Sequence, residues 1–62
     1  MLRISLESAR KNAKMTQKEV AKKLHVSNKT IGHWENGKTK PSFSTLRVLA
    51  ELYNIPIDNI KQ

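Results

Sequence analysis

A chain of 62 residues, 37% hydrophobic with one Trp, one Tyr and one Phe, has room for one small core and none for a second globular unit or a deep substrate cleft. Cysteine is absent, so neither a disulfide framework nor a thiolate zinc site supports that core, and packing alone must hold it in a reducing compartment. The net charge of +7 sits entirely in segment 10–40, where Arg10, Lys11, Lys14, Lys18, Lys22, Lys23, Lys29, Lys38 and Lys40 face only Glu19 and Glu35; such a concentration suits a polyanionic partner.

The opening Met1-Leu2-Arg3-Ile4-Ser5-Leu6 turns charged too soon for a signal peptide, and no run approaches membrane-spanning length, so a cytoplasmic protein without a membrane partner is expected. A first short helix is predicted from about Ser5 to Ala13, with Leu6, Ala9 and Ala13 on one face. Thr16-Gln17-Lys18-Glu19 is a capping box that starts a second helix at Gln17; Val20, Ala21 and Leu24 form its apolar stripe, with Lys18, Lys22 and Lys23 on polar faces. The pattern breaks after Leu24, where His25 suits a left-handed turn before Val26 returns to the core.

Ser27 caps a third helix, Asn28 to Glu35, whose Ile31 and Trp34 face inward, Trp34 toward the seam with the fourth helix. Its other face, Asn28, Lys29, Gly32 and His33, has no apolar side chain and is open to a partner. Asn36-Gly37 ends the helix, and Gly37 to Pro41 is a basic loop. Ser42 or Ser44 then caps a fourth helix carrying Leu46, Leu49, Ala50 and Tyr53, with Asn54 as its C-cap. Pro56 fits the first turn of a fifth helix closed by Ile57 and Ile60, and Lys61 and Gln62 are expected to fray. The expectation is an all-α, compact five-helix single domain over residues 1–62.

The run from Gln17 through Gly37 resembles the helix-turn-helix of the lambda repressor and Cro family, also called the XRE family. The likeness rests on Thr16-Gln17 at the start of the second helix, small Ala21 at the inter-helix contact, Val20, Leu24, Val26 and Ile31 at core positions, and the exit Trp34-Glu35-Asn36-Gly37. Lys38, Pro41 and the Leu46-to-Tyr53 helix extend it to residues 6–60. The chain departs from the family pattern at His25 and Asn54, where glycine is usual, and at Pro56, where a capping Ser is common.

That resemblance implies a lambda repressor-like fold with its helix-turn-helix at about residues 17–36, double-stranded DNA as partner, and the third helix in the major groove. It implies base contacts from Asn28, Lys29 and His33, and phosphate contacts from Gln17, Ser27, Asn36, Lys38, Thr39 and Lys40. The less specific readings are a plain helix former at Gln17, a solvated first-turn residue at Asn28, a phosphate contact at Lys29, a solvent-exposed imidazole at His33 and a solvated loop at 36–40. Gly32 either permits close approach of DNA or is a tolerated defect, and Arg10 with Glu35 is either a salt bridge or two independent surface charges.

A phage-type repressor bound as a homodimer to a palindromic operator is the leading expectation, with Ile57 and Ile60 as the candidate dimer surface. The rival is a protein-interaction module such as an antitoxin or regulatory subunit, which would show a more apolar and less cationic third helix. An enzyme is not expected, because two His, no Cys and scattered acids form no nucleophile, base or ligand set; neither cofactor, metal nor small-molecule substrate is expected. A chain that stops just past its fifth helix is read either as whole or as the N-terminal end of a longer regulator.

Overall fold

A computed structural model describes residues 3–61 of the chain, so the expected fraying of Gln62 lies outside the described residues. Four α-helices follow in order: α1 (Leu6–Asn12), α2 (Gln17–Leu24), α3 (Asn28–Glu35) and α4 (Phe43–Tyr53). Each begins at a hydroxyl side chain that accepts the backbone N–H three residues on: Ser5 from Ser8, Thr16 from Glu19, Ser27 from Thr30 and Ser42 from Thr45. These bonds satisfy amides that have no intrahelical acceptor. At α2 the cap is reciprocal, since Glu19 Oε1 accepts from the Thr16 N–H at 2.8 Å. Of the two candidate caps for α4, Ser42 is the one used.

All four helices also end alike. Lys14, His25, Gly37 and Asn54 adopt left-handed φ values of 59°, 58°, 80° and 58°. In each case the next residue's N–H bonds back to a carbonyl five residues earlier: Met15 to Arg10, Val26 to Ala21, Lys38 to His33 and Ile55 to Ala50, at 2.9 to 3.2 Å. The reversal satisfies carbonyls at the helix end and drives the following residue onto the helix it has just left. Met15, Val26 and Ile55 thereby pack against the core. After α3 the same position holds Lys38, which is exposed, so there alone the chain leaves the core as a charged loop.

Leu6, Ala9, Val20, Ala21, Ile31, Leu46, Leu49, Ala50, Tyr53 and Ile60 form the core, with Trp34 half-buried beside it. Ala9 and Ala21 are small where helices approach closely, and Val20, Ile31, Leu46 and Leu49 fill the centre. Two sequence expectations need correction. The fifth α-helix is a three-residue 3-10 turn, Ile57–Asn59, preceded by Pro56 in extended backbone with no side-chain cap. It stops because Ile60 joins a parallel bridge with Ile4: the Ile4 N–H donates to the Asn59 carbonyl at 2.8 Å and the Lys61 N–H to the Ile4 carbonyl at 2.7 Å.

That bridge also removes Ile60 from the proposed dimer surface, because it is 4% exposed and belongs to the core, while Ile57 is partly buried against the same cluster. Among the described residues the exposed large apolar side chains are instead Phe43 and Val48 of α4, at 66% and 51%.

Tyr53 lies buried near Arg10 and Glu35, and burial, reinforced by the Glu35 charge, pushes its hydroxyl pKa up to about 12. The folded chain therefore keeps this proton where the unfolded chain, near pH 10, releases it. Stability is expected to hold below about pH 10 and to fall as pH rises toward 12, by at most about 3 kcal/mol. Urea unfolding at about pH 9 and about pH 11 should show a smaller alkaline loss for Tyr53→Phe than for the native chain. An equal loss in both would mean that Tyr53 does not drive it.

Candidate nucleic-acid interface

The recognition candidate, α3, is positioned by a small polar network as well as by its core side. Glu35, at the end of α3, receives three hydrogen bonds: from Arg10 Nε at 2.7 Å to Oε2, and from Arg10 Nη2 at 3.3 Å and Gln17 Nε2 at 2.9 Å to Oε1. Arg10 Nη1 donates further to the Met15 carbonyl at 2.8 Å. One guanidinium thus ties α1, the turn before α2 and α3 together, and the Gln17 amide adds the start of α2. The ion pair is sheltered, with the Arg10 side chain 10% and the Glu35 side chain 5% exposed. The hydrogen bonds that Arg10 donates to Glu35 raise its pKa above its ordinary value, against the opposing effect of burial.

Around this anchor the outer surface of α3 is polar. Asn28 and Lys29 are exposed in its first turn, and His33 is half-buried one turn further along. Ile31, 1% exposed, marks the opposite, core-facing side. Ser27 is exposed, but its hydroxyl is already engaged as the cap and lies 2.9 Å from the Thr30 hydroxyl.

The loop after α3 is held to the helix by its backbone. The His33 carbonyl accepts from both Lys38 and Thr39 N–H groups, at 2.9 and 3.3 Å, and Asn36 Oδ1 accepts from the Lys38 N–H at 3.1 Å. Asn36, Lys38, Thr39 and Lys40 are all exposed, so the loop places two ammonium groups and two neutral polar groups beside the α3 surface. Asn36 keeps its two amide N–H donors for another partner, because only its oxygen closes the turn.

Gln17 differs from its expected role in one respect: its side-chain amide is engaged by Glu35. A contact from this residue to an anion would use its second amide N–H or the backbone amides of the first turn of α2, which lack intrahelical acceptors. Sequence reasoning had no signal for this bond, because the two residues are 18 apart in the chain. Trp34, expected at the seam with the fourth helix, packs partly buried against the core, between two shallow hollows, one lined partly by Leu24, Val26, Thr45 and Val48, the other partly by Leu6, Thr39 and Pro41. Among the described residues no cluster of three or more His, Asp or Glu side chains is placed to hold a metal ion. Among the same described residues no helix is long and apolar enough to cross a membrane.

Two short helices joined by a left-handed turn, the second offering a polar, cationic face, define a helix-turn-helix domain of all-helical class. The family match agrees: the chain belongs to the helix-turn-helix family HTH_3, of the XRE type, with residues 6–60 matched. Its relatives include the HTH-type transcriptional regulator ImmR of Bacillus subtilis, 40% identical over 53 residues, covering 86% of this chain and 42% of that protein. The HTH-type transcriptional activator BcrR of Enterococcus faecalis is 31% identical over 55 residues, covering 89% of this chain and 27% of the relative. An HTH-type transcriptional regulator of Archaeoglobus fulgidus is 34% identical over 59 residues, 95% of this chain and 83% of that protein. The chain therefore spans less than half the length of ImmR and BcrR. No solved structure gives a significant match.

Removing one partner of the sheltered ion pair should be far costlier than removing both. Glu35→Ala is expected to lose about 3 kcal/mol, enough to unfold much of so small a domain, whereas Arg10→Met/Glu35→Leu should lose less than either single change. Denaturant unfolding of Glu35→Ala, of Arg10→Met and Glu35→Leu singly, and of the double variant decides it. For Gly32, an added Cβ would meet only the end of the Gln17 side chain, at 3.8 Å, which is ordinary contact. Gly32→Ala should therefore stabilise the fold by about 1 kcal/mol, read as a rise in melting temperature of several degrees. A fall would mean that Gln17 needs that space.

Proposed function

We propose that this chain is the DNA-binding unit of a transcription regulator, a single domain over residues 1–62 that inserts α3 into the major groove of duplex DNA. The observation that carries the reading is the surface around α3. Asn28 and Lys29 stand exposed at its N-terminal end with His33 behind them, and the backbone-anchored Lys38-to-Lys40 loop lies alongside. Asn, Lys and His supply the donors and acceptors that base edges require, Asn toward adenine and Lys toward guanine. Lys38 and Lys40, with Asn36, Thr39, Ser27 and the first turn of α2 at Gln17, would grip phosphates and fix the register without reading sequence. Family membership and the names of the relatives support the same reading.

In its most specific form the unit is a repressor, works as a homodimer on a palindromic operator whose half-sites lie about one helical turn apart, and acts in the cytoplasm of a bacterium or on behalf of a phage. It needs no cofactor for this and carries out no reaction, because binding to DNA is the whole of its task.

The test is a binding selection from random duplexes followed by titration of the retained sequence against salt. Affinity should fall steeply with salt, as expected where several phosphates are neutralised. Lys29→Ala should relax preference at one base pair, at a cost of about 1–3 kcal/mol on the selected site and little on a mismatched one. Lys40→Ala should weaken all sequences alike and reduce the salt slope by about one. Identical behaviour of the two variants on matched and mismatched duplexes would reject this division of roles.

A further inference from the structure

Asn36 and Gly37 meet where α3 ends, and nowhere else in the chain does an asparagine precede a glycine; Asn12, Asn28, Asn54 and Asn59 are followed by Ala, Lys, Ile and Ile. Such a pair can react with itself. The backbone nitrogen of the glycine attacks the side-chain Cγ of the asparagine, an approach that a Cβ on the second residue obstructs.

The loop meets the needs of that reaction. Asn36 and Gly37 are both exposed. Asn36 Oδ1 accepts from the Lys38 N–H at 3.1 Å, which curls the side chain forward over the Gly37 peptide and draws electron density away from Cγ. Among the described residues the N–H groups of Asn36, Lys38 and Thr39 bond back to α3, while that of Gly37 has no acceptor. Rotation of Asn36 from its ψ of 5° completes the approach, and the space around Gly37 is open, since a Cβ there would meet nothing within 4 Å. Lys38 and Lys40 in the same loop favour the negative charge that develops on the nitrogen as its proton leaves.

We propose that Asn36 is a site of spontaneous deamidation, and that this covalent change releases the loop's grip on DNA phosphate. Gly37 N loses its proton to hydroxide and bonds to Asn36 Cγ; the Cγ–Nδ2 bond breaks, and the amide nitrogen leaves as ammonia with a proton from water. Water then opens the cyclic imide. Cleavage between Gly37 N and Cγ gives aspartate, whereas cleavage between Gly37 N and the Asn36 carbonyl carbon gives isoaspartate, with the main chain running through the former side chain.

The consequence for binding rests on the reading of α3 and its loop as the duplex-binding surface, and it gives that surface a finite working life. Asn36 offers a phosphate two N–H donors; either product offers a carboxylate, which only accepts and carries a negative charge. Isoaspartate also lengthens the main chain by one carbon between α3 and Lys38. A phosphate held on the Asn36 amide opposes the rotation, so the bound chain is spared while the free chain ages.

The full chain kept in mildly alkaline buffer over days, with and without the selected duplex, tests it. Peptide mass spectrometry and enzymatic methyl-labelling of isoaspartate map the modification, and duplex titration follows binding. Modification should gather at Asn36 ahead of Asn12, Asn28, Asn54 and Asn59, and duplex should slow it several-fold. Full conversion should weaken duplex binding by about tenfold or more. Asn36→Asp should show the aged chain's weakened binding from the start, with an unchanged helical circular-dichroism spectrum. Gly37→Ala puts a Cβ in the nitrogen's path, at some cost in stability because φ there is 80°, and should suppress the reaction and hold whatever affinity it begins with. An Asn36 that reacts no faster than the other asparagines, a converted chain that binds as tightly as a fresh one, or a rate that duplex leaves unchanged overturns the proposal. Failure of the fresh chain to bind any duplex strikes the DNA reading instead, and the peptide map still decides whether Asn36 reacts.

Discussion

The carboxylate of Glu35 is the point on which the arrangement of helices depends. A charge removed from water costs several kcal/mol unless its lone pairs are met, and here Arg10 and Gln17 meet both oxygens. The apolar core favours compactness without direction, whereas these bonds have direction and so fix how α3 is rotated against α1 and α2. Only arginine suits the position, because its fork reaches Glu35 through two nitrogens while a third holds the Met15 carbonyl. The polar face of α3 points where it does because its last residue is held from behind.

The helix ends explain why one loop and not another becomes the cationic flank. Three of the four left-handed turns are followed by an apolar residue that folds inward; the one after α3 is followed by Lys38. The same backbone device therefore closes the core three times and opens it once. Two amides bonded to the His33 carbonyl then keep Lys38 and Thr39 close to the helix, so the loop has a defined shape before any partner arrives.

Much of this was legible in the residue order because the deciding interactions are local. The capping box at Thr16 and Glu19, the hydroxyl caps at Ser27 and Ser42, and the left-handed His25 and Asn54 each involve residues within a few positions. What sequence reading missed is either non-local or lacks a residue-type signal. The bridge between Ile4 and Ile60 and the bond from Gln17 to Glu35 join distant segments, and lysine at position 14 gives no hint of a left-handed turn. The fifth helix failed because a tertiary pairing at Ile60 overrode a local preference. The candidate site was readable as a face of one helix and a basic loop, but the loop's attachment and the engagement of Gln17 became visible only when the helices were placed together.

Non-glycine residues at three of the four left-handed positions leave the scaffold with a margin for engineering. Lys14, His25 and Asn54 each hold a Cβ where the backbone favours none, a strain of about 1 kcal/mol that is least for Asn and His. Glycine at these sites would raise thermal tolerance without altering any residue of α3 or of the loop behind it. His25 and Asn54 are the sites of choice, because changing them takes no lysine from the cationic segment.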